Sequence, residues 1–361
     1  MITAFEPLSL APPNNEEIVY DASLWTSVAR LIERAPRESD LRYHGVDLLA
    51  AQHDRRLGRT PALHTIAAAR TAAAASLIAP LVLQRALAAV TGRVVLMKGP
   101  EVAEHYENSL TRSYRDIDLL VEDADAAWQE MVAAGFEPTG DPELYVGIHH
   151  LRPLVLPGLP LVVEVHHDPK WLEGIAPPTA ELLETAVPSV TGIPGLLTLE
   201  PARHAVVLAV HAWAHVPLSR LGRLIDVAAV SQGVDRAETA AIARAWDVER
   251  LWRVTQATID SLLGRRSRPF AGRIWARHLW SARERTVLER HLESWLGPFS
   301  MLPPADAARA TGRSLARQFT PEEGETRAQM IRRSTRAVTD ALKRQSDHDK
   351  ATEAMQRKES S

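Results

Sequence analysis

Runs of residues with the pattern of buried strands are confined to the middle of the 361-residue chain, and helical patterns lie on both sides of them. The runs cover residues 94–97, 116–121 and 161–166, and short apolar runs bounded by turn residues are typical of strands. Strands that are grouped between long helical segments predict an α+β fold. The expected architecture is a small mixed sheet flanked by helices, with helices before and after it.

Changes of pattern divide the chain into four predicted segments. Residues 1–90 are expected to form an N-terminal arm and helices, and residues 91–175 the α/β core. Strand patterns disappear beyond about residue 178, so residues 176–320 are predicted to be a helical domain. Residues 321–361 carry many charges of both signs and are expected to be a helical or disordered tail.

The longest weakly charged stretch lies in the N-terminal segment. It runs from Thr71 to Gln84, is rich in alanine and contains Pro80. A proline inside a helix usually ends or kinks it, so we expect two helices here. A helix that crosses a bilayer needs about 20 apolar residues, so no membrane span is expected. The first residues also lack a basic segment followed by an apolar core, so no secretion signal is expected.

Composition excludes several classes of protein. The chain has no cysteine, which excludes a disulfide scaffold, an iron–sulfur cluster and a thiol nucleophile. Lysine and arginine total 42 and aspartate and glutamate total 45, so the net charge is −3. A surface devoted to nucleic acid normally has a clear basic excess. The composition therefore predicts a cytoplasmic protein for which nucleic acid is the less favoured partner.

Two carboxylates lie inside the second apolar run. Because side chains of a strand alternate between its faces, Asp116 and Asp118 share one face, about 7 Å apart, while Ile117 points to the other. An unpaired charge inside an apolar strand is costly, and hard oxygen ligands suit Mg²⁺. The pair is therefore interpreted as a metal site, although a single Asp-x-Asp in a strand can also be a solvated edge.

The third apolar run supplies further polar residues. In Leu-Val-Val-Glu-Val-His, Glu164 and His166 share one face. If this strand lies beside the second one, Glu164 converges with Asp116 and Asp118, which is the arrangement that two-metal phosphoryl or nucleotidyl transfer needs. His166 could then donate a hydrogen bond to the substrate.

Lys98 and Gly99 follow the first apolar run at a junction between a strand and a helix. The amino end of a helix and a lysine can both face a phosphate group. Motifs for dinucleotide binding, for a P-loop and for a nucleophile elbow do not occur in the sequence. His211 and His215 have the spacing of two zinc ligands, but the glutamate of the metalloprotease motif is replaced by Ala212.

The order of these residues resembles the uncharacterised bacterial nucleotidyltransferase family, which belongs to the DNA-polymerase-beta-type nucleotidyltransferase superfamily. The resemblance rests on Lys98-Gly99, Tyr106, Arg112, Asp116-Ile117-Asp118 and Glu164-Val165-His166, and on His211-Ala212-Trp213 and Arg223-Leu224-Ile225-Asp226 in the helical segment. It implies a polymerase-beta-type core, Mg²⁺, and transfer of a nucleoside monophosphate from an NTP such as ATP to a hydroxyl group. Members often lie beside natural-product or polysaccharide genes, which implies a small-molecule or peptide acceptor.

The resemblance also implies roles for individual residues. Asp116 and Asp118 would hold the metal ions that bridge the triphosphate. Glu164 would complete the second metal site and help to deprotonate the acceptor hydroxyl. Lys98 and Gly99 lie where the superfamily usually has a Gly-Ser pair that binds phosphate, so either the backbone or the lysine charge would replace that pair.

Other assignments stay open at this point. Arg112 would neutralise charge on the triphosphate, or it could be a surface arginine that pairs with a carboxylate. His211 is expected in the core or along the cleft between the domains, and the segment from His211 to Asp226 is interpreted as a structural polar link. Two further functions also remain: a non-catalytic module that binds nucleotide, peptide or RNA, and a toxin-like transferase that acts on tRNA.

Overall fold

The computed structural model of the protein describes residues 23–264, 266–318 and 325–342. The N-terminal arm predicted over the first fifteen residues and most of the predicted charged tail lie outside the described residues. Within that tail the structure describes one helix, Arg327–Leu342.

Seven short strands form a single sheet. In chain order they are β1 Val94–Leu96, β2 Asp116–Val121, β3 Glu137–Pro138, β4 Leu154–Val155, β5 Val162–His166, β6 Val187–Pro188 and β7 Leu197–Thr198. Their order across the sheet is β3-β4-β5-β2-β1-β7-β6. The strands β2 and β5 run parallel, as do β1 and β7, and the other neighbours are antiparallel. The sheet is therefore mixed, and the α+β prediction is confirmed.

Helices precede, interrupt and follow the sheet. Those before β2 are α1 Ser23–Ile32, α2 Glu38–His44, α3 Asp47–Arg56, α4 Leu63–Ala89 and α5 Pro100–Ala103. Those between β2 and β7 are α6 Ala124–Ala133 and α7 Thr179–Glu184. After the sheet come α8 Pro201–His215, α9 Leu221–Val230, α10 Arg236–Ala245, α11 Glu249–Leu262, α12 Phe270–Ile274, α13 Val287–Leu296, α14 Pro298–Met301, α15 Pro304–Gln318 and α16 Arg327–Leu342. Short 3₁₀ helices cover Ser109–Thr111, Pro142–Tyr145 and Arg277–Ser281.

Local sequence explains where several helices begin. The side chain of Asp123 accepts a hydrogen bond from the backbone of α6, and Asp235 does the same for α10. Glu200 caps α8, whose first residue is Pro201. Such caps satisfy the N–H groups that have no partner inside the helix. These caps therefore fix the first residues of α6, α8 and α10.

The two faces of the sheet pack against different helices. One face, which includes Ile117, Leu119 and Val121 of β2, packs with α4 and α6 in one hydrophobic cluster. The other face, which includes Leu120, belongs to a larger cluster shared with α8, α9 and α11. The sheet is therefore the boundary between two hydrophobic cores, and the carboxylates of β2 point toward the helical region that follows it.

The sheet extends into the segment that was predicted to lack strands. β6 and β7 lie after residue 178, and β7 pairs with β1 through Val95 and Leu96. The expectation that strands end near residue 178 is therefore wrong. Each of these strands has two residues, which is too short for an alternating pattern to show in the sequence.

The helix α4 is continuous through Pro80, so the prediction of two helices is wrong. Pro80 lies on the exposed side, where water can satisfy the carbonyl group that loses its N–H partner. By length and composition alone α4 could cross a membrane. Its 18-residue apolar stretch has a mean hydropathy of 1.7, and 28% of that stretch is buried in the protein. The expectation that this segment is too short to span a bilayer is therefore also wrong, although the inner side of α4 packs on the sheet.

Candidate active site

The pairing of β2 with β5 brings predicted acidic residues to one face of the sheet. Asp118 lies opposite Glu164, and Leu120 lies opposite His166. Because alternate side chains of a strand share a face, Asp116 and Asp118 lie on the same side as Glu164 and His166. The expectation that the two strands are neighbours is confirmed.

Asp118, Glu164 and His166 form a compact group, which we call the acidic cluster. Each offers one ligand atom, and these atoms all lie within 4.8 Å of one another. The imidazole Nε2 of His166 lies 3.2 Å from Oδ1 of Asp118 and 3.5 Å from Oε2 of Glu164. Asp118 and His166 are buried, and 22% of the Glu164 side chain is exposed. The cluster is therefore almost enclosed, with its opening at Glu164.

The charges in the acidic cluster shift one another's pKa. Burial alone would raise the pKa of Asp118, but Lys98 and His166 lower it below its usual range. Burial would also raise the pKa of Glu164, and its close contact with His166 lowers it instead. Burial would lower the pKa of His166, whereas its close contacts with the two carboxylates raise it. Both carboxylates are therefore ionised at neutral pH.

Asp116 lies beside the acidic cluster on the same face of β2 but is not one of its members. Its pKa is raised by burial and by the negative charges of Asp118 and Glu164, and Lys98 opposes this shift. Asp116 is therefore close enough to interact electrostatically with both carboxylates. The structure groups His166, rather than Asp116, with Asp118 and Glu164, and the predicted role of Asp116 as a metal ligand stays a prediction.

Lys98 pairs with the acidic cluster. Its ammonium nitrogen lies 2.6 Å from Oδ1 of Asp118 and 3.3 Å from Nε2 of His211. Only 17% of the Lys98 side chain is exposed. In this structure the lysine charge therefore neutralises a carboxylate, and its predicted contact with phosphate stays a prediction.

Gly99 allows the turn after β1 to approach β2 closely. Its φ is +65°, in the region that side chains other than glycine rarely adopt. A Cβ atom at this position would lie 2.9 Å from the backbone oxygen of Asp116. Glycine is therefore required here by both conformation and space.

Arg112 joins the sheet to the helical region. Its Nε and Nη2 donate to the two carboxylate oxygens of Asp226 at 2.7 and 3.0 Å, and its Nη1 donates to the backbone oxygen of Gly99 at 2.9 Å. The hydroxyl of Tyr106 donates to the same carboxylate at 2.7 Å. We call this group the Arg112–Asp226 clamp. Arg112 is paired with a carboxylate but is largely buried, so the alternative of a surface arginine was correct only in the pairing.

The histidines of α8 face the cleft between the sheet and the helical region. Nε2 of His204 lies 2.6 Å from the backbone oxygen of Met97, His211 contacts Lys98, and Nδ1 of His215 lies 3.0 Å from the ammonium nitrogen of Lys170. Burial lowers the pKa of His204 to about 3 and that of His215 to about 4. Of the two positions left open for His211, the structure shows the one beside Lys98 at the cleft, and His204 and His215 are neutral at neutral pH.

The predicted link from His211 to Asp226 is not formed as one unit. His211 contacts Lys98 beside the acidic cluster, whereas Asp226 binds Arg112 and Tyr106 in the clamp. The structural role expected for Asp226 is supported by these contacts.

Sequence reasoning left His149 and His150 unplaced, and the fold brings both to the site. Nε2 of His150 lies 3.7 Å from Oε2 of Glu164, and the ring centroid of His149 lies 5.4 Å from that of His166. Both belong to the loop before β4, which a single bridge between His150 and His166 joins to β5. Two adjacent histidines are the local signal, but their position depends on the pairing of β4 with β5.

Comparison with known families agrees with this arrangement. The model of the uncharacterised nucleotidyltransferase family matches residues 41–264, more than half of the chain. The chain belongs to that family. No curated protein and no solved structure matches it. The range that matches this nucleotidyltransferase family contains the whole sheet, the acidic cluster and the Arg112–Asp226 clamp.

The acidic cluster of this nucleotidyltransferase family member has the chemistry of a metal site. Oδ2 of Asp118 is buried without a hydrogen-bond partner among the described residues, although nearly all buried polar atoms in proteins have one. Carboxylate oxygens suit Mg²⁺, and the addition of an imidazole also suits transition metals. Asp118, Glu164 and His166 could therefore hold a divalent ion, with the unpaired oxygen of Asp118 as a ligand.

Proposed function

We propose that this protein is an Mg²⁺-dependent nucleotidyltransferase that moves a nucleoside monophosphate from an NTP to a hydroxyl group of a small molecule or peptide. The observation that carries the proposal is the acidic cluster, with its unpaired oxygen on Asp118, in a chain of a nucleotidyltransferase family. Carboxylates that share one face of a sheet would hold the metal ion, and the charge of that ion would neutralise the phosphates, which is the protein's main contribution to such a reaction.

The proposed reaction is an in-line substitution at the α-phosphorus of the NTP. The oxygen of the acceptor hydroxyl forms a bond to this phosphorus, the bond from the phosphorus to the bridging oxygen of the β-phosphate breaks, and pyrophosphate leaves. The hydroxyl proton passes to a carboxylate of the site, for which Glu164 is the candidate because it forms the exposed edge of the acidic cluster. Catalysis of this kind depends mainly on positioning and on electrostatic stabilisation.

Each residue of the site has a defined part in this scheme. Asp118 and Glu164 would hold the metal, and Asp116 is proposed as an additional ligand from the same face. A bound Mg²⁺ supplies charge that stabilises the attacking and the leaving oxygen. His166 orients both carboxylates through its contacts with them, and Lys98 and Gly99 are proposed to face the phosphates of the nucleotide.

The wider context is proposed from the family alone. We propose that the acceptor is a product of small-molecule or peptide biosynthesis and that the protein works in the cytoplasm. ATP is the first NTP to test. Transfer to tRNA or to another nucleic acid is the less favoured alternative, because the chain has a net charge of −3.

Direct labelling tests the proposed function. The protein is incubated with each of the four NTPs labelled at the α-phosphate, with cell extract as a source of acceptors, with Mg²⁺ or with EDTA. We expect label to enter an acceptor of defined size, in an equal amount to the pyrophosphate released, and only when Mg²⁺ is present. Digestion of the labelled product with ribonuclease or protease then separates tRNA and peptide acceptors from small molecules.

The matched control is the isosteric variant Asp118→Asn, which removes the charge but keeps the shape of the side chain. Incorporation that continues in this variant, or nucleotide binding that ignores both Mg²⁺ and Asp118→Asn, would contradict the assignment. Metal-independent nucleotide binding without any transfer would favour a non-catalytic binding module.

A further inference from the structure

The cleft beside the acidic cluster contains positive charges that lack carboxylate partners. Lys170 follows β5, Arg220 precedes α9, and Arg223 lies in the first turn of α9. None of these three takes part in an ion pair within the described parts of the chain, and we call them the cationic patch. Like charges that gather without counter-charges raise the electrostatic energy of the folded protein, and a bound anion lowers it.

The charge of Arg112 and three of its N–H groups are engaged within the protein. All three of its guanidinium nitrogens donate hydrogen bonds in the Arg112–Asp226 clamp. Both carboxylate oxygens of Asp226 are likewise engaged, since Oδ1 accepts from Tyr106 and Arg112 and Oδ2 accepts from Arg112. Arg223 forms no ion pair with any of the residues that the structure describes, although it lies three residues before Asp226 on the same helix.

A chain of contacts connects the cationic patch with the acidic cluster. Asp118 contacts Lys98 at 2.6 Å, and Lys98 contacts His211 at 3.3 Å. The ring centroids of His211 and His215 are 4.6 Å apart, and Nδ1 of His215 lies 3.0 Å from the ammonium nitrogen of Lys170. Lys98 and Lys170 also line one small cavity, together with His166 and His211. Lys170 and the acidic cluster therefore border one cleft, and Arg223 lies three residues before Asp226, whose partner Arg112 contacts the backbone of Gly99 beside that cleft.

The electrostatics of the patch agree with this geometry. Lys170 has a lowered pKa because of burial and of the nearby charges of Lys98 and Arg223. Burial and Arg220 lower the pKa of Arg223 in the same way. The hydrogen bond that Lys170 makes is to His215, which is neutral at neutral pH because its pKa is about 4. The negative charges of Glu164 and Asp226 act on Lys170 and Arg223, respectively, but neither carboxylate forms an ion pair with these cations among the described residues. The two cations are therefore available to a bound anion.

We infer that Lys170 and Arg223 bind the β- and γ-phosphates of the NTP, so that the helical region holds the end of the nucleotide that leaves as pyrophosphate. The inference rests on the proposed function and deepens it, because it assigns the triphosphate to residues other than Arg112. The α-phosphate then lies over the acidic cluster, between the carboxylates of the sheet and the cations of the cleft. Guanidinium and ammonium groups are the usual partners of phosphate oxygens in proteins.

Binding of three ligands tests this inference. The wild type, Lys170→Gln, Arg223→Gln and the double variant are titrated calorimetrically with ATP, AMP and inorganic tripolyphosphate, all with Mg²⁺, after a check of thermal stability. We expect each single variant to bind ATP and tripolyphosphate about 10- to 100-fold more weakly, as charge-assisted hydrogen bonds are lost. AMP binding should change less than about twofold. Arg223→Lys should recover part of the loss, since it keeps the charge without the planar donor geometry.

A matched control is Arg253→Gln, which removes an exposed arginine of α11 and should leave all three affinities unchanged. Unaltered binding of ATP and tripolyphosphate by the double variant would overturn the inference while the proposed function stands on the labelling experiment. In another outcome, the wild type binds tripolyphosphate but none of the nucleotides, and the tripolyphosphate binding is lost in the Lys170→Gln and Arg223→Gln variants. That result would support the anion site and overturn the proposed function. An equal loss of AMP and ATP affinity would overturn the assignment to the β- and γ-phosphates.

Discussion

The two faces of strand β2 differ in almost every physical respect. On one face Ile117, Leu119 and Val121 are at most 3% exposed and pack only with apolar neighbours from α4, α6 and the adjacent strands. On the other face Asp116 and Asp118 lie among charged and titratable groups from β5 and α8. One strand of six residues therefore serves two environments by alternation of its side chains.

The difference shows how a small sheet can hold charges without losing stability. The apolar face gains stability from burial of hydrocarbon, at about 25 cal/mol per Å². The polar face keeps the buried carboxylate of Asp118 ionised because Lys98 and His166 lie within 3.2 Å of it. Substitutions on one face should therefore change stability, and substitutions on the other should change chemistry.

The strongest test of this contrast is Asp118→Asn. Loss of a metal-binding carboxylate should lower the rate of transfer at least about 1,000-fold, which corresponds to roughly 4 kcal/mol of transition-state stabilisation. The melting temperature should change by only a few degrees, because asparagine has the same shape and Lys98 keeps the nearby negative charge of Asp116. Turnover measurements and thermal denaturation check the two expectations. If Asp118→Asn keeps its activity but melts at a much lower temperature, this face of β2 serves stability rather than chemistry.

Arg112→Ala tests the polar contacts that are structural rather than catalytic. This substitution removes one partner of a largely buried, bidentate ion pair and leaves Asp226 without its counter-charge. It should lower the free energy of unfolding by roughly 3 to 5 kcal/mol. The double variant Arg112→Met with Asp226→Leu should be clearly more stable than Arg112→Ala, since it leaves no buried charge. Denaturant unfolding of both variants distinguishes these outcomes. Equal stability of wild type and Arg112→Ala would exclude the clamp as a structural element.

Leu119→Ala tests the apolar face alone. Removal of this buried side chain should lower the free energy of unfolding by about 2 to 5 kcal/mol through lost burial and a cavity. The activity of the fraction that remains folded should be close to that of the wild type. Urea denaturation with parallel activity measurements below the transition checks both. A large fall in activity without loss of stability would mean that the two faces are not independent.

A buried polar pair away from the acidic cluster provides a pH test. The rings of His44 and His278 stack with centroids 5.9 Å apart, and both are buried. Burial lowers the pKa of His44 to about 4, with Arg220 and Arg283 acting in the same direction and Asp40 against it. The pKa of His278 is lowered by burial and by His44.

The sign of the effect follows from these shifts. The unfolded chain binds a proton at His44 below its ordinary pKa of 6.5, whereas the folded protein does so only near pH 4. Stability from this group is therefore complete above pH 6.5 and falls as the pH decreases toward 4, by up to roughly 3 kcal/mol. His44→Asn should make the unfolding free energy depend less on pH in this range. An unchanged pH dependence in that variant would contradict the expected contribution of His44.

Alternation and composition made part of the structure predictable. Side chains of a strand alternate with a period of two residues. This period predicts that Asp116 and Asp118 share one face of β2, and that Glu164 and His166 share one face of β5. Most helices of the second half were also predictable, because apolar periodicity and capping residues are local signals.

What could not be predicted depended on contacts between distant residues. The strands β6 and β7 form through pairing with β1 and with each other, and two residues carry no periodic signal. The bidentate contact of Arg112 with Asp226 joins residues 114 positions apart. The place of His150 beside Glu164 likewise requires the loop before β4 to return to β5. In each case the sequence shows which residue types are present but does not show which distant residue each of them contacts.

The position of β7 late in the sequence has a practical consequence for isolation of the part of the chain that contains the acidic cluster. A shortened chain that stops at residue 175 would contain the carboxylates but would lack the strand that covers β1. The main-chain groups of Val95 and Leu96 would then be free to pair with another molecule, as open sheet edges do. Such a fragment should self-associate, and a usable one must extend at least through Thr198.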